Sequence, residues 1–144
     1  MTEKITLGRS GLVVPRNGFG ALPIQRISEA DAVRLVRRAL DGGMFYFDTA
    51  RFYTDSEEKL GVALLGRRKE VIISTKTGAT TADDFWKDLH TSLSLLKTDY
   101  VDLYQFHNPD FCPKPGDGSG LYEAMQEAVH QGKTYRYGRP CRRT

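Results

Sequence analysis

Three apolar, strand-like runs in this chain each finish on a reactive side chain. Phe45-Tyr46-Phe47 delivers Asp48, Val71 to Thr75 stops at Lys76, and Val101 to Phe106 stops at His107. Tyr53 follows Asp48 by five residues, in the loop after the first run. An acid, an amine, an imidazole and a phenol are groups of acid–base chemistry, yet none says much alone. By themselves Tyr53 reads as an amphipathic packing residue, Lys76 as a solvated strand end, His107 as a satisfied structural histidine and Asp48 as a cap. Parallel strands would change that reading, because they would gather all four groups at one edge of one sheet.

The elements that must position these groups are readable from spacing. Residues 4–14 form a short hairpin pattern around Gly8 to Gly11, stopped by Pro15. Gly18-Phe19-Gly20-Ala21-Leu22 is a glycine-punctuated strand; it begins like a dinucleotide fingerprint, but Pro23 takes the place of the third glycine, which discounts a Rossmann loop. Ser28-Glu29-Ala30-Asp31 matches a capping box, and Ala32, Leu35, Val36, Ala39 and Leu40 make the helical stripe behind it. Gly42-Gly43 ends that helix and the strand Met44–Phe47 follows. A second helix is expected from about Asp55 to Leu65, presenting Leu60, Ala63 and Leu64. Val71 to Thr75 is apolar on both faces, as in a buried parallel strand. Thr81 opens a third helix with the stripe Phe85, Leu89, Leu93 and Leu96; a fourth runs from about Ser119 to His130. Within these helices His90 and His130 read as surface residues and Trp86 as packing.

This pattern predicts an α/β fold with a parallel sheet: a hairpin, then four strand–helix units of about 25 to 30 residues each. Doubly wound sheets and eight-stranded barrels both fit the alternation. Polar residues at several successive strand ends favour the (β/α)8 TIM-barrel type, which typically needs about 250 residues. The chain has 144. The expected fold is therefore a barrel truncated to about four βα units with an N-terminal β-hairpin.

Composition bounds the partners. No apolar run approaches the roughly 20 residues that cross a bilayer, and Met1-Thr2-Glu3-Lys4 does not begin like a signal peptide. Cys112 and Cys141 form no CxxC pair, so neither a disulfide framework nor a metal site is expected; Cys112 reads as an exposed loop cysteine. The chain reads as cytoplasmic, with no membrane partner. Its net charge of +3 is a tail effect: four of 21 basic residues follow Lys133, and residues 1–133 carry a net −1. Nucleic-acid binding is not expected.

At the residues that carry chemistry the chain resembles the aldo-keto reductase family. Gly8-Arg9-Ser10-Gly11-Leu12-Val13-Val14-Pro15 looks like that family's barrel-bottom hairpin and Gly18-Phe19-Gly20 like its first barrel strand. Asp48-Thr49-Ala50 with Tyr53, Ser56-Glu57 with Leu60-Gly61, Ser74-Thr75-Lys76, and Asp102-Leu103-Tyr104 ending at His107 match its motifs in order. The resemblance implies NADPH- or NADH-dependent reduction of an aldehyde or ketone, with Asp48, Tyr53, Lys76 and His107 as the catalytic tetrad and no metal. It also implies cofactor contacts from Gly20, Ala21 and Asp48. Hydride transfer to a carbonyl carbon builds negative charge on the oxygen, which calls for a proton donor. On this resemblance Tyr53 would be that donor, Lys76 would stabilise the phenolate, Asp48 would hold Lys76, and a neutral His107 would orient the carbonyl. The resemblance also implies that the Pro- and Gly-rich loop Asn108 to Gly118, with Phe111, would face the substrate.

Departure from the family starts after Lys133. Thr134 onward reads as a poor core strand, rich in arginine and broken by Pro140, so the domain is expected to span residues 1–133 and an aberrant basic tail 134–144. A half barrel would leave two unpaired edge strands and an apolar inner face, so self-association through those edges is expected. The alternative reading is a non-catalytic truncated half-barrel fragment or interaction scaffold.

Overall fold

The structure, a computed structural model, describes residues 3–138. Strands β1 (Lys4–Thr6) and β2 (Val13–Pro15) make the expected antiparallel hairpin, Lys4 opposite Pro15. Five parallel strands follow: β3 (Phe19–Gly20), β4 (Tyr46–Asp48), β5 (Ile72–Thr77), β6 (Val101–Phe106) and β7 (Thr134–Gly138). Helices α1 (Glu29–Asp41), α2 (Ser56–Ala63), α3 (Ala82–Leu95) and α4 (Leu121–His130) alternate with them. The sheet order is β3-β4-β5-β6-β7. A doubly wound sheet reverses its order at a switch point. This one winds in a single direction, as a barrel wall does.

Local chemistry explains where the helices start. Ser28 Oγ accepts from the Asp31 N–H at 3.1 Å and donates to Asp31 Oδ2 at 2.8 Å, and Thr81 Oγ1 accepts from the Asp84 N–H at 3.2 Å. Each cap satisfies an amide that the first helical turn leaves free. The helices cover one face of the sheet, burying Phe47, Ile73, Tyr104 and Phe106 beneath them. In α1 the buried positions are Ala32, Val36 and Leu40, whereas Leu35 is 47 % exposed. The contact with the core is one residue wide per turn, so the outer edge of the expected stripe lies in solvent.

Three expectations need correction. The stretch from Thr134 forms β7, paired with β6 from Val101 opposite Thr134 to Gln105 opposite Gly138. Thr134, Tyr135 and Tyr137 suit a strand, and the ladder uses backbone groups whatever the side chain of Arg136. Gln126 Nε2 also donates to the Tyr137 hydroxyl at 2.6 Å, tying α4 to the strand. Arg139, Pro140, Cys141, Arg142 and Arg143, which made the tail read as aberrant, lie outside the described residues. The second correction concerns the uncovered inner face. It is not uniformly apolar, since Tyr46, Asp48, Ser74, Lys76, Gln105 and Arg136 alternate onto it, and the hairpin turn at Ser10 lies against Arg136. Thirdly, Cys112 is half-buried in its loop and not exposed.

Where α2 meets α3, the backbones touch. A Cβ added at Gly61 would stand 2.3 Å from the Leu95 carbonyl oxygen and 2.9 Å from Leu96 Cα. Neither atom can rotate away. Gly61→Ala is therefore expected to lower unfolding stability by about 2–3 kcal/mol in urea titration, despite the better helix propensity of alanine.

Candidate active site

Register between β4 and β5 assembles the first half of the site. Asp48 lies opposite Ser74, so Lys76, two residues on, points to the same face. Lys76 Nζ donates to Asp48 Oδ2 at 2.6 Å and to the Thr49 carbonyl at 2.9 Å. An ammonium group has three protons, so one remains for another acceptor. Ser74 Oγ donates to the second Asp48 oxygen, and the Tyr46 hydroxyl lies 3.2 Å from Ser74 Oγ. Burial pushes the Tyr46 phenol up, with the neighbouring Asp48 charge acting the same way against the Ser74 hydrogen bond. Tyr46 thus stays protonated beneath the ion pair.

The loop after β4 carries Tyr53. It is laced to β5 by the Thr49 N–H on the Ser74 carbonyl (2.9 Å) and the Arg51 N–H on the Lys76 carbonyl (3.0 Å). Thr54, directly after Tyr53, has φ +43°. That left-handed conformation costs a β-branched residue roughly 1–3 kcal/mol and persists only where surroundings impose it. Thr54 Oγ1 donates to Gln25 Oε1 at 3.0 Å, and Ser56 Oγ donates to the Ala21 carbonyl at 2.8 Å. Held this way, the Tyr53 ring stands edge-on to His107, 5.5 Å between centroids at 88°, with Lys76 Nζ 5.4 Å from its own centroid.

His107 extends the ladder one residue past β6, its N–H donating to the Thr77 carbonyl at 2.8 Å, before Asn108 turns the chain with φ +48°. Its Nδ1 is buried with no partner among the described residues. Burial lowers the affinity of the ring for a proton, the Lys76 cation adds to this, and the Asp48 charge partly opposes it. The imidazole is neutral at neutral pH.

Asp48, Tyr53, Lys76 and His107 thus converge at the carboxyl ends of β4, β5 and β6. Gly20 joins them, opposite Asp48 in the β3–β4 register, with open space where a Cβ would stand. Ala21 does not reach this surface. It is fully buried, its N–H on the Asp48 carbonyl and its own carbonyl accepting from Ser56. Phe111 packs edge-on against Phe106, 5.3 Å between centroids, and so seals the core beside the loop. Sequence reasoning missed Phe52, which is 65 % exposed, 5.2 Å from the His107 ring, and laid over Gly78, where a Cβ would meet its Cζ at 2.1 Å. It also missed Ser74, whose place two residues before Lys76 was the available signal. His90 and His130 lie exposed on their helices, His90 stacked on Trp86, and Trp86 packs on Phe85.

The sequence pattern of the aldo/keto reductase family matches residues 16–138. The chain belongs to that family. It is 36 % identical to L-galactose dehydrogenase of Arabidopsis thaliana, over 92 % of this chain and 46 % of that protein. It is 33 % identical to 6-dehydroglucose reductase of Novosphingobium aromaticivorans, over 92 % of this chain and 49 % of that one. Among solved structures, the holo form of an aldo-keto reductase from Bacillus halodurans superposes with a TM-score of 0.84 at 31 % identity, over 96 % of this chain and 50 % of the other. An aldo-keto reductase from Klebsiella pneumoniae in complex with NADPH gives 0.81 at 27 %, over 96 % and 49 %. The family and its TIM-barrel fold are established, and the chain spans about half the length of the curated relatives it matches.

The geometry around His107 sets a pH expectation. The unfolded ring takes a proton near pH 6.5, and the folded ring does so only below that value. Above about pH 6.5 both states are neutral here. As pH falls from there toward the folded midpoint, the unfolded state binds more protons and stability declines. A ring-proton NMR titration should give a midpoint below 6.5 that rises in Lys76→Met, while a native midpoint at or above 6.5 would contradict the assigned environment.

Proposed function

We propose that this chain supplies the proton-donating half of an NAD(P)H-dependent carbonyl reductase acting on a small aldehyde or ketone. One observation carries the reading: the Asp48–Lys76 ion pair, Tyr53 and His107 form one cluster at successive strand ends. The reduced nicotinamide would supply the hydride. Gly20 and Asp48 fit one side of that group, because they share a register pair and leave a bare, accessible rim.

The chain's own residues then act on the oxygen. Tyr53 gives its hydroxyl proton to the oxygen as charge builds there. A phenol holds its proton up to about pH 10 in water, so it needs a cation beside it. Lys76 provides that charge, and the ammonium proton left over from Asp48 and Thr49 is free to meet the phenolate. Asp48 accepts from Lys76 through one oxygen and from Ser74 through the other, which fixes both partners. With Nδ1 buried, Nε2 is the nitrogen through which a neutral His107 donates to the carbonyl oxygen.

The sheet's two ends support a second reading. Strands β3 and β7 each have one unpaired edge among the described residues. We propose that the chain by itself self-associates through these edges as a non-catalytic scaffold. Sedimentation velocity at micromolar concentration should show species larger than a monomer; a stable, folded monomer would reject this. A cytoplasmic location also belongs to the proposal.

Catalysis is tested by carbonyl-dependent NADPH oxidation in a protein containing this chain. Tyr53→Phe should slow it by about 10²-fold or more, leaving NADPH binding in place. Equal rates in the two proteins would remove Tyr53 from the role of acid.

A further inference from the structure

Glu57 sits on the first turn of α2, behind the site, with 1 % of its side chain exposed. One of its oxygens accepts from Thr75 Oγ1 at 2.6 Å, and the other pairs with Arg51 Nη1. Thr75 immediately precedes Lys76, and Arg51 stands two residues before Tyr53. A carboxylate this deeply buried is tolerable only with its partners in place, so the two contacts depend on each other. Between them they join the loop that bears the tyrosine to the strand that bears the lysine. The loop needs such a tie, because Thr54 holds a left-handed backbone right after Tyr53.

We infer that Glu57 is a positioning residue: by clamping Thr75 and Arg51 it sets where Tyr53 stands relative to Lys76 and His107. Glu57 touches none of the reacting groups itself. It acts on the distance across which Lys76 steadies the phenolate, and on the edge-on packing of Tyr53 against His107. The inference rests on reading Tyr53 and Lys76 as the reacting pair, but its test does not depend on turnover.

That test reads the Tyr53–His107 geometry directly. The His107 ring protons feel the ring currents of Tyr53 and of its loop neighbour Phe52, so their NMR shifts and titration midpoint report whether the loop is docked. Three variants of the chain separate the two ends of the clamp. Thr75→Val removes the hydroxyl at nearly constant shape, Thr75→Ser keeps it, and Arg51→Met removes the charge from a side chain that is 21 % exposed. In Thr75→Val and Arg51→Met, the His107 ring protons should lose at least half of their displacement from unfolded-chain values, and the midpoint should move. Methyl signals of Val36 and Leu40, remote in the core, should stay in place, and Thr75→Ser should restore the native pattern. Folded Thr75→Val and Arg51→Met with native His107 shifts and midpoint would overturn the inference. Glu57→Gln should behave as Thr75→Val does; should it fail to fold, the threonine pair and Arg51→Met still decide. A chain that shows the docked geometry yet reduces no carbonyl would count against the proposed function and leave the clamp standing.

Discussion

Everything at the rim of this sheet depends on one register, that of β4 against β5. Asp48 faces Ser74, and the strand period of two carries Lys76 onto the same face as the aspartate. A slip of one residue would turn Lys76 toward the helices and leave the carboxylate opposite a threonine. What prevents the slip is on the other side of the sheet. Phe47 and Ile73 are register partners, both fully buried under the helices, and a shift of β5 would carry Ile73 out of that core. The ion pair itself is 17 % and 33 % exposed at its two side chains, so it adds little to stability. Apolar packing sets the geometry, and the polar groups use it.

Around the start of α2 the packing is polar instead. Lys59, 7 % exposed, donates to the carbonyls of Ile24 (3.1 Å) and Ile27 (2.7 Å) and pairs with Asp55 at 2.8 Å. The 3-10 turn Leu22–Arg26 ends there with carbonyls that no helix continues, and the ammonium group satisfies them. Thr49, Ser56 and Glu57 complete the cluster, each hydrogen-bonded and each under 2 % exposed. Such a network gains little net stability over an apolar filling, but each bond has a direction. Directional bonds are what a strained loop needs if it is to present Tyr53 in one orientation.

These two kinds of packing explain how much of the molecule was legible in its sequence. Asp48, Lys76 and His107 stood out because apolar runs end on them, and apolar runs follow from burial. Their positions were readable to within a residue or two; Lys76 lies inside β5, whose ladder continues to Thr77 opposite Phe106. Tyr53 has no such signal and was recognisable only through the family's motif. Glu57 stood out only within the Ser56-Glu57 stretch that matches the family's motifs, and nothing local says that Arg51 and Thr75 enclose it. Ser74 looked like part of a buried strand, its side-chain role hidden by the question of which face it takes. In β7 arginine content masked a run that is otherwise aromatic and β-branched, and a ladder asks only for backbone groups.

The polar inner face constrains what can lie against it. Tyr46 keeps a protonated hydroxyl there, Gln105 brings an amide, and Arg136 spends its Nε on the Ser10 carbonyl while its guanidinium stays on the surface. Burying these groups without partners would cost more than the apolar area gained from the half-buried Ile72 beside them, since Leu103 is already buried. A surface that closes over this face must therefore bring acceptors to meet Arg136 and both kinds of partner to meet Gln105. Closure by shape alone, with leucine and valine, would strand them. The same requirement holds whether the covering surface is another strand of the barrel wall or a second copy of this chain, and it makes the inner face as selective about its neighbour as the rim is about its geometry.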